Sequence, residues 1–196
     1  MIRYAITDPD HYGSQPQTLL RRITHLLKNP DVTHICLRDK KSASYESLAE
    51  AFCSLRPKYR EVAFFLHTDW RLALRLGADG GHLPACAFDA IAPAAEAGLR
   101  VVVSTHSPEE ALSAQELGAW GVTYSPIFES PGKGEPRGLE KLKEIQAKIS
   151  IDTYALGGIV SQERICALKE TGVRGFASIR YFVNFTQTRR FGAEPY

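Results

Sequence analysis

The chain has 196 residues, of which 44% are hydrophobic and 23% are charged, and its formal net charge is +2. These values are ordinary for a globular protein, and the length suits one domain with a substantial core. Lys and Arg are spread along the chain and no run of about eighteen apolar residues occurs, so we expect neither a nucleic-acid partner nor a membrane partner.

The cysteines are far apart in the sequence and include no Cys-x-x-Cys pair. They are Cys36, Cys53, Cys86 and Cys166. This spacing argues against a zinc site and against a redox dithiol, and it predicts free thiols in a reducing cytoplasm.

Short apolar segments alternate along the chain with segments of helical periodicity. The predicted strands are 2–7, 32–38, 62–66, 79–84, 100–104, 121–124, 153–156 and 175–178. The predicted helices are 18–28, 44–55, 70–76, 88–97, 108–117, 139–147 and 161–170, with Ser44 and Ser161 as caps. The segment from 184 onward predicts no element.

Strands that alternate with helices pair in parallel through right-handed crossovers, and eight such units close into a (β/α)8 barrel. We therefore predict the α/β class and a single TIM-barrel domain over 1–196. The alternative is an open doubly wound sheet, which the strand count and the missing Gly-x-Gly-x-x-Gly motif disfavour.

A barrel of this kind binds ligands at the carboxyl ends of its strands, and it often binds phosphate after strands seven and eight. Gly157 and Gly158 follow strand seven, where backbone amides can approach an anion closely. Ile179 and Arg180 follow strand eight and can add amides and a guanidinium. These residues predict a phosphate site, although the glycine pair alone could be only a tight turn.

Arg38 and Lys40 lie two residues apart at the end of strand two, so both side chains can point toward the barrel mouth. We expect them to hold a second anionic group or a carbonyl of the ligand. The alternative is a solvated run of charges that includes Asp39 and Lys41.

Three histidines, His67, His82 and His106, each follow a predicted strand. Imidazole titrates near neutral pH and is a natural general acid or base at such a position. Each one alone could equally be a hydrogen-bonded core or loop residue. The loop after strand six carries Ser130 and Lys133 among glycines and prolines, which predicts a lid over the site.

Short motifs follow one another along nearly the whole chain. They are Leu-Arg-Asp-Lys at 37–40, Leu-Gly-Ala-Asp-Gly at 76–80 with His-Leu-Pro at 82–84, Ser-Thr-His-Ser-Pro-Glu-Glu-Ala at 104–111, Ser-Pro-Ile-Phe at 125–128 with Ser-Pro-Gly-Lys at 130–133, Arg-Gly-Leu at 137–139, and Leu-Gly-Gly-Ile at 156–159. In this order they resemble the thiamin phosphate synthase and TenI superfamily of barrels. The resemblance implies an enzyme of thiamin biosynthesis whose small-molecule partner is a phosphorylated thiazole.

Synthases of this family join hydroxymethylpyrimidine diphosphate to a thiazole phosphate and use magnesium to hold the departing diphosphate. The resemblance implies that Ser130, Lys133, the glycine pair and the Ile179–Arg180 turn grip the thiazole phosphate and the diphosphate tail. The family's Gln before Leu-Arg is Cys36 here.

The magnesium side departs further from the synthase pattern. The family's Asn-Asp-Arg after strand three falls on 67–69, and its second magnesium-binding Asp is missing from 84–87. A synthase would therefore need Mg2+ bound by Asp69 as a substitute ligand.

The TenI branch resembles this chain more closely, since it is magnesium-free and shares Leu-Pro after strand four and Phe-Glu after strand six. Its chemistry is a proton transfer that aromatises a thiazole carboxylate phosphate tautomer, although the histidine which that branch places after strand six is Pro126 here. The favoured expectation is a tautomerase without a cofactor, in which His67 and His106 are acid and base and Arg38 and Lys40 hold the carboxylate.

Two other functions are kept as alternatives, a magnesium-dependent synthase and a non-catalytic binder of thiazole phosphate. The sequence leaves the oligomeric state open, with a homodimer as one option.

Overall fold

In the computed structural model, eight parallel strands close into a barrel in chain order, and β1 pairs with both β2 and β8. The strands are β1 Ile2–Ile6, β2 His34–Leu37, β3 Ala63–His67, β4 Gly80–Leu83, β5 Arg100–Thr105, β6 Gly121–Tyr124, β7 Asp152–Leu156 and β8 Gly175–Ser178. The predicted (β/α)8 barrel is confirmed, and the open doubly wound sheet is wrong.

The structure describes residues 1–187, with only the backbone described for 184–187, so the last part of the domain expected over 1–196 lies outside the described residues. The helices are α1 Pro9–Tyr12, α2 Pro16–Leu26, α3 Tyr45–Cys53, α4 Trp70–Arg75, α5 Ile91–Glu96, α6 Pro108–Glu116, α7 Gly138–Lys148, α8 Gln162–Leu168 and α9 Arg180–Gln187. Short 3-10 helices cover Arg56–Lys58, Phe88–Ala90 and Lys169–Thr171.

Two helices were not predicted from the sequence. Helix α1 is a single turn that begins with the Asp8 carboxylate accepting a hydrogen bond from the Asp10 amide, in a segment that reads as a turn after β1. Helix α9 continues beyond 184, where the sequence predicts no element.

Side-chain caps fix the start of several other helices. Ser107 and Ser161 accept hydrogen bonds from the amides three residues later, as Asn, Asp, Ser and Thr typically do at this position. Ser44 precedes α3 without a capping bond, so the expected cap is wrong. The backbone of Ser44 (φ −105°, ψ 40°) departs from the extended conformation that caps usually adopt.

The core has two layers because successive side chains of a strand point to opposite faces. In β3, Phe64 packs outward against the helices, and its ring centroid lies 4.8 Å from that of Phe52 on α3. Its neighbour Phe65 points into the barrel, where it packs with Tyr4 and Tyr154. The interior is therefore filled by side chains up to the floor of the barrel mouth.

All four cysteines are free, as predicted. Within residues 1–187, no helix combines the length and the apolar character that a membrane span requires.

Truncation of a ring in the outer layer, between the barrel and the helices, should destabilise the protein strongly. Phe52 is fully buried, so we expect Phe52→Ala to lower the free energy of unfolding by about 3–5 kcal/mol, because it leaves a cavity beside Phe64. Urea denaturation measures the loss. The matched control is Leu112→Ala on α6, where the side chain is 40% exposed and the change should stay within about 0.5 kcal/mol. Equal losses for the two variants would contradict this packing.

Candidate active site

A cavity of about 630 Å³ opens at the carboxyl ends of the barrel strands. It is lined by every residue that the sequence predicted to bind a ligand or transfer a proton. These residues are Arg38, Lys40, His67, His106, Ser130, Lys133, Gly157, Gly158, Ile179 and Arg180. The exception is Asp69, which was expected to bind a metal ion only if the protein is a synthase. The barrel thus brings together residues that are far apart in the sequence, while their individual roles stay predictions.

The glycine pair after β7 forms one wall of this cavity. Gly157 and Gly158 have φ values of 99° and 69°, in the left-handed region that favours glycine. A Cβ at Gly157 would lie 2.8 Å from the Pro126 Cα, and one at Gly158 would lie 2.6 Å from the Glu129 carbonyl oxygen. The Phe128 amide also donates to the Gly157 carbonyl over 3.1 Å. The pair is therefore a tight turn packed against the loop after β6, and it faces the cavity as well.

The end of β8 is tied to the same wall. The Ser178 hydroxyl donates to the Ile159 carbonyl at 2.8 Å and accepts from the Tyr181 amide at 3.2 Å. These bonds fix the start of α9 beside the glycine turn. Amides at the start of a helix carry a partial positive charge and favour an anion.

Unpaired cations line the cavity. In the described part of the chain, Lys40, Lys133 and Arg180 take part in no ion pair. Arg38 has a carboxylate nearby, since its Nη1 lies 3.9 Å from an oxygen of Asp8. An excess of positive charge over nearby carboxylates suits an anionic ligand.

His67 ends β3 under this positive charge. Burial lowers its pKa to about 4, and Arg38 and Lys40 contribute in the same direction. Its Nδ1 lies 2.6 Å from the hydroxyl of Thr68, a residue held at φ 71°. His67 is therefore neutral at physiological pH.

His82 lies on the floor of the cavity. Its Nδ1 is 3.1 Å from the Tyr4 hydroxyl, and its Nε2 is 3.1 Å from the Ser104 hydroxyl. Burial lowers the pKa of His82 to about 3, with further contributions from His67 and Arg38. This imidazole is neutral and has polar partners on both ring nitrogens.

His106 is held at the end of β5. Its amide donates to the Glu110 carboxylate over 2.6 Å, and its Nδ1 lies 3.0 Å from the carbonyl oxygen of Ser125. A carbonyl oxygen only accepts, so Nδ1 carries the proton in this arrangement. The Nε2 lone pair then remains available to accept a proton.

Carboxylates in and near the cavity have partners within the protein. Asp8 caps α1, and Asp10 pairs with the Lys41 ammonium at 2.9 Å. Asp69, the expected ligand of a synthase, accepts from the Leu72 amide at 2.9 Å as the cap of α4 and is not part of the cavity lining. Among the described residues no group of three His, Cys, Asp or Glu side chains could hold a metal ion. Asp69 thus acts as a helix cap here, and its role as a metal ligand of a synthase stays a prediction.

The sequence analysis missed a part of the site on α1. Asp8, Asp10 and His11 line the cavity, although their segment was interpreted only as a turn. His11 Nδ1 lies 3.4 Å from an Asp8 carboxylate oxygen. The missed signal was their position at the carboxyl end of β1, the criterion that identified the residues after the other strands.

In this closed (β/α)8 barrel, charged and polar side chains converge at the carboxyl ends of the strands. This arrangement is typical of the barrel enzymes. The family model described as thiamine monophosphate synthase matches residues 3–182. The chain belongs to this family.

Relatives match nearly the full length of the chain. A protein of Aquifex aeolicus is 34% identical over 183 residues, which cover 92% of this chain and 96% of the relative. The thiamine-phosphate synthase of Syntrophomonas wolfei is 32% identical over 185 residues, covering 90% and 85%. The structure of thiamine phosphate pyrophosphorylase from Pyrococcus furiosus superposes with a TM-score of 0.74 at 23% identity and 97% coverage of both chains, which supports the fold.

These names agree with the synthase that the sequence analysis kept as an alternative, rather than with the tautomerase that it favoured. The family assignment made from the motifs is confirmed.

Buried neutral histidines should make stability depend on pH. Besides His67 and His82, His34 has its pKa lowered to about 4, first by burial and then by Arg100. The unfolded chain binds protons on these groups below about pH 6.5, whereas the folded chain does so only near pH 4 and below. The contribution of these histidines to the free energy of unfolding is therefore complete above about pH 6.5. It falls as the pH decreases toward 4, by up to about 1.4 kcal/mol per pH unit for each histidine.

Urea denaturation between pH 7 and pH 4.5 checks this dependence. We expect His34→Gln to make the decline shallower, while His25→Gln, which removes an exposed histidine on α2, should leave it unchanged. A stability that stays constant over this range would contradict neutral burial.

Proposed function

We propose that the chain is a transferase of thiamin biosynthesis that binds a thiazole phosphate in the barrel-mouth cavity and joins it to hydroxymethylpyrimidine diphosphate. The observation that carries the proposal is that two edges of one cavity carry cations or glycine backbone amides, which suit anions. One edge follows β7 and β8, and the other follows β2. Two phosphorylated substrates require two such edges.

The first edge suits the thiazole phosphate. Gly157 and Gly158 let the backbone approach an anion closely, and the start of α9 adds helix-terminal amides beside them. The Arg180 guanidinium and the Lys133 ammonium line the same cavity without a carboxylate partner among the described residues.

The second edge suits the diphosphate. In the transfer, the thiazole nitrogen forms a bond to the methylene carbon of the hydroxymethylpyrimidine while the bond from that carbon to the diphosphate oxygen breaks, and the diphosphate leaves with the electron pair. Arg38 and Lys40 supply fixed positive charge where that negative charge develops. These cations would neutralise the charge of the leaving group.

A second candidate function is the tautomerase reaction, and the observation that favours it is the arrangement around His106. The Nδ1 contact with the Ser125 carbonyl leaves Nε2 free to take a proton from a thiazole carboxylate phosphate. Such a proton transfer needs an acid and a base but no metal ion. The phosphate edge would serve both reactions equally, so turnover assays have to decide between them.

Thermal unfolding tests ligand binding without assuming turnover, because a ligand that binds only the folded state raises the unfolding midpoint. We expect thiazole phosphate to raise the midpoint of the wild type and to have a much smaller effect on Arg180→Ala. The control is Arg71→Ala, whose guanidinium lies over the Trp70 ring rather than in the cavity. Absence of any shift with thiazole phosphate, thiazole carboxylate phosphate or the pyrimidine diphosphate would contradict the ligand assignment.

Formation of thiamin phosphate by the purified protein tests the reaction. We expect turnover, and we expect Arg38→Ala to reduce kcat/KM by about 10- to 100-fold, because one charge-assisted hydrogen bond contributes about 1.5–3 kcal/mol. The assay is run with and without added magnesium. If no thiamin phosphate forms in either condition while thiazole carboxylate phosphate is aromatised and His106→Gln abolishes that activity, the tautomerase replaces the transferase. Binding without either reaction would indicate a non-catalytic binder.

A further inference from the structure

Three hydrogen-bonding side chains connect the barrel interior to the cavity floor. Tyr4 is fully buried on β1, and its hydroxyl lies 3.1 Å from His82 Nδ1. The opposite nitrogen, His82 Nε2, lies 3.1 Å from the Ser104 hydroxyl. His82 and Ser104 line the cavity, whereas Tyr4 does not. The reaction proposed above assigns no role to this connection.

The direction of the hydrogen bonds decides what Ser104 offers to a ligand. A neutral imidazole carries one N–H, so one ring nitrogen donates and the other accepts. If Tyr4 donates to Nδ1, the Nε2–H donates to Ser104, and the serine O–H is free to point into the cavity. If Nδ1–H donates to Tyr4 instead, Ser104 donates to Nε2 and presents only lone pairs to a ligand.

The surroundings of Tyr4 favour the first arrangement. His82 Nδ1 lies within hydrogen-bond distance of the Tyr4 hydroxyl, whereas the nearby Cys36 thiol would be only a weak acceptor. The remaining neighbours are ring faces and edges of His34, Phe65 and Tyr154. An imidazole nitrogen is a much better acceptor than a thiol, so the phenol proton goes to Nδ1. The thiol proton can in turn be donated to the phenol oxygen.

Burial keeps this arrangement in place. His82 is 2% exposed and Tyr4 is completely buried, so water cannot replace either partner. Burial also raises the pKa of Tyr4 well above its usual value and lowers that of His82, so both groups are neutral at physiological pH. The hydroxyl and the imidazole therefore act by orienting each other rather than by changing charge.

We infer that Tyr4 is a positioning residue, which fixes His82 in the Nε2–H form and thereby makes Ser104 a hydrogen-bond donor to the ligand. This inference rests on the proposed ligand site and adds a constraint on the ligand. The atom that meets Ser104 must be an acceptor, such as a ring nitrogen, a carboxylate oxygen or a phosphate oxygen.

Nitrogen-15 NMR of the histidine side chains tests the tautomer without any ligand, because a protonated and an unprotonated ring nitrogen have different chemical shifts. The His82 signals are assigned by their loss in His82→Gln. We expect a proton on Nε2 and none on Nδ1 in the wild type. Tyr4→Phe keeps the ring and removes only the hydroxyl, and it should populate the other tautomer.

The matched control is Tyr154→Phe. Tyr154 is equally buried, its ring centroid lies 5.9 Å from that of Tyr4, and its hydroxyl donates to the Asp152 carboxylate instead. This variant should leave the His82 tautomer unchanged. A proton on Nδ1 in the wild type, or an unchanged tautomer in Tyr4→Phe, would overturn the inference.

Ligand affinity gives the second readout. Calorimetric titration with thiazole phosphate and with the pyrimidine diphosphate, each alone, should show a dissociation constant about 5- to 10-fold higher for Tyr4→Phe with at least one of them. Ser104→Ala should lose a similar factor, and the double variant should lose no more than either single one. Unchanged affinities in Tyr4→Phe would overturn the donor role. If the wild type binds neither compound, the proposed function fails, whereas the NMR result still decides the tautomer.

Discussion

Closure of the parallel barrel is the constraint on which the rest of the structure depends. Because all eight strands run in the same direction and pair in a ring, their carboxyl ends meet at one mouth. Arg38, His106 and Gly157 are widely separated in the sequence, yet they line a single cavity there. The helices fill the outer layer, and aromatic side chains close the barrel beneath the mouth. The site is thus assembled by topology, from residues at the ends of the strands and in the segments that follow them.

Charge and burial divide the cavity into distinct parts. Cationic side chains occupy the mouth, while the imidazoles of His67 and His82 below them remain neutral because burial and the same cations lower their pKa values. The floor can then supply hydrogen bonds without adding to the positive charge. Carboxylates are bound to other partners, Asp10 by Lys41 and Asp69 by the start of α4. This distribution fits anionic ligands.

The sequence was sufficient for the fold and for most of the cavity lining, because the alternation of apolar runs with helical periodicity and the position of polar residues after strands are local signals. It was insufficient for features that depend on tertiary contacts. The requirement for glycine at Gly158 comes from the Glu129 carbonyl across the wall, and the capping role of Asp69 depends on where α4 begins. The link from Tyr4 to His82 joins residues 78 positions apart, and no periodicity indicates it. The choice between transferase and tautomerase was also beyond the sequence patterns, since both proposed reactions would use the same phosphate edge.

The proposed function requires that the wall formed by the glycine turn and the start of α9 holds the phosphate of a thiazole ligand. A crystal structure of the protein grown with thiazole phosphate tests it most directly. The account predicts phosphate density within hydrogen-bond distance of the Gly157 and Gly158 amides and the Arg180 guanidinium, with the thiazole ring directed toward Ser104 and Arg38. A phosphate bound elsewhere in the cavity, or a cavity that stays free of ligand at saturating concentration, would contradict it.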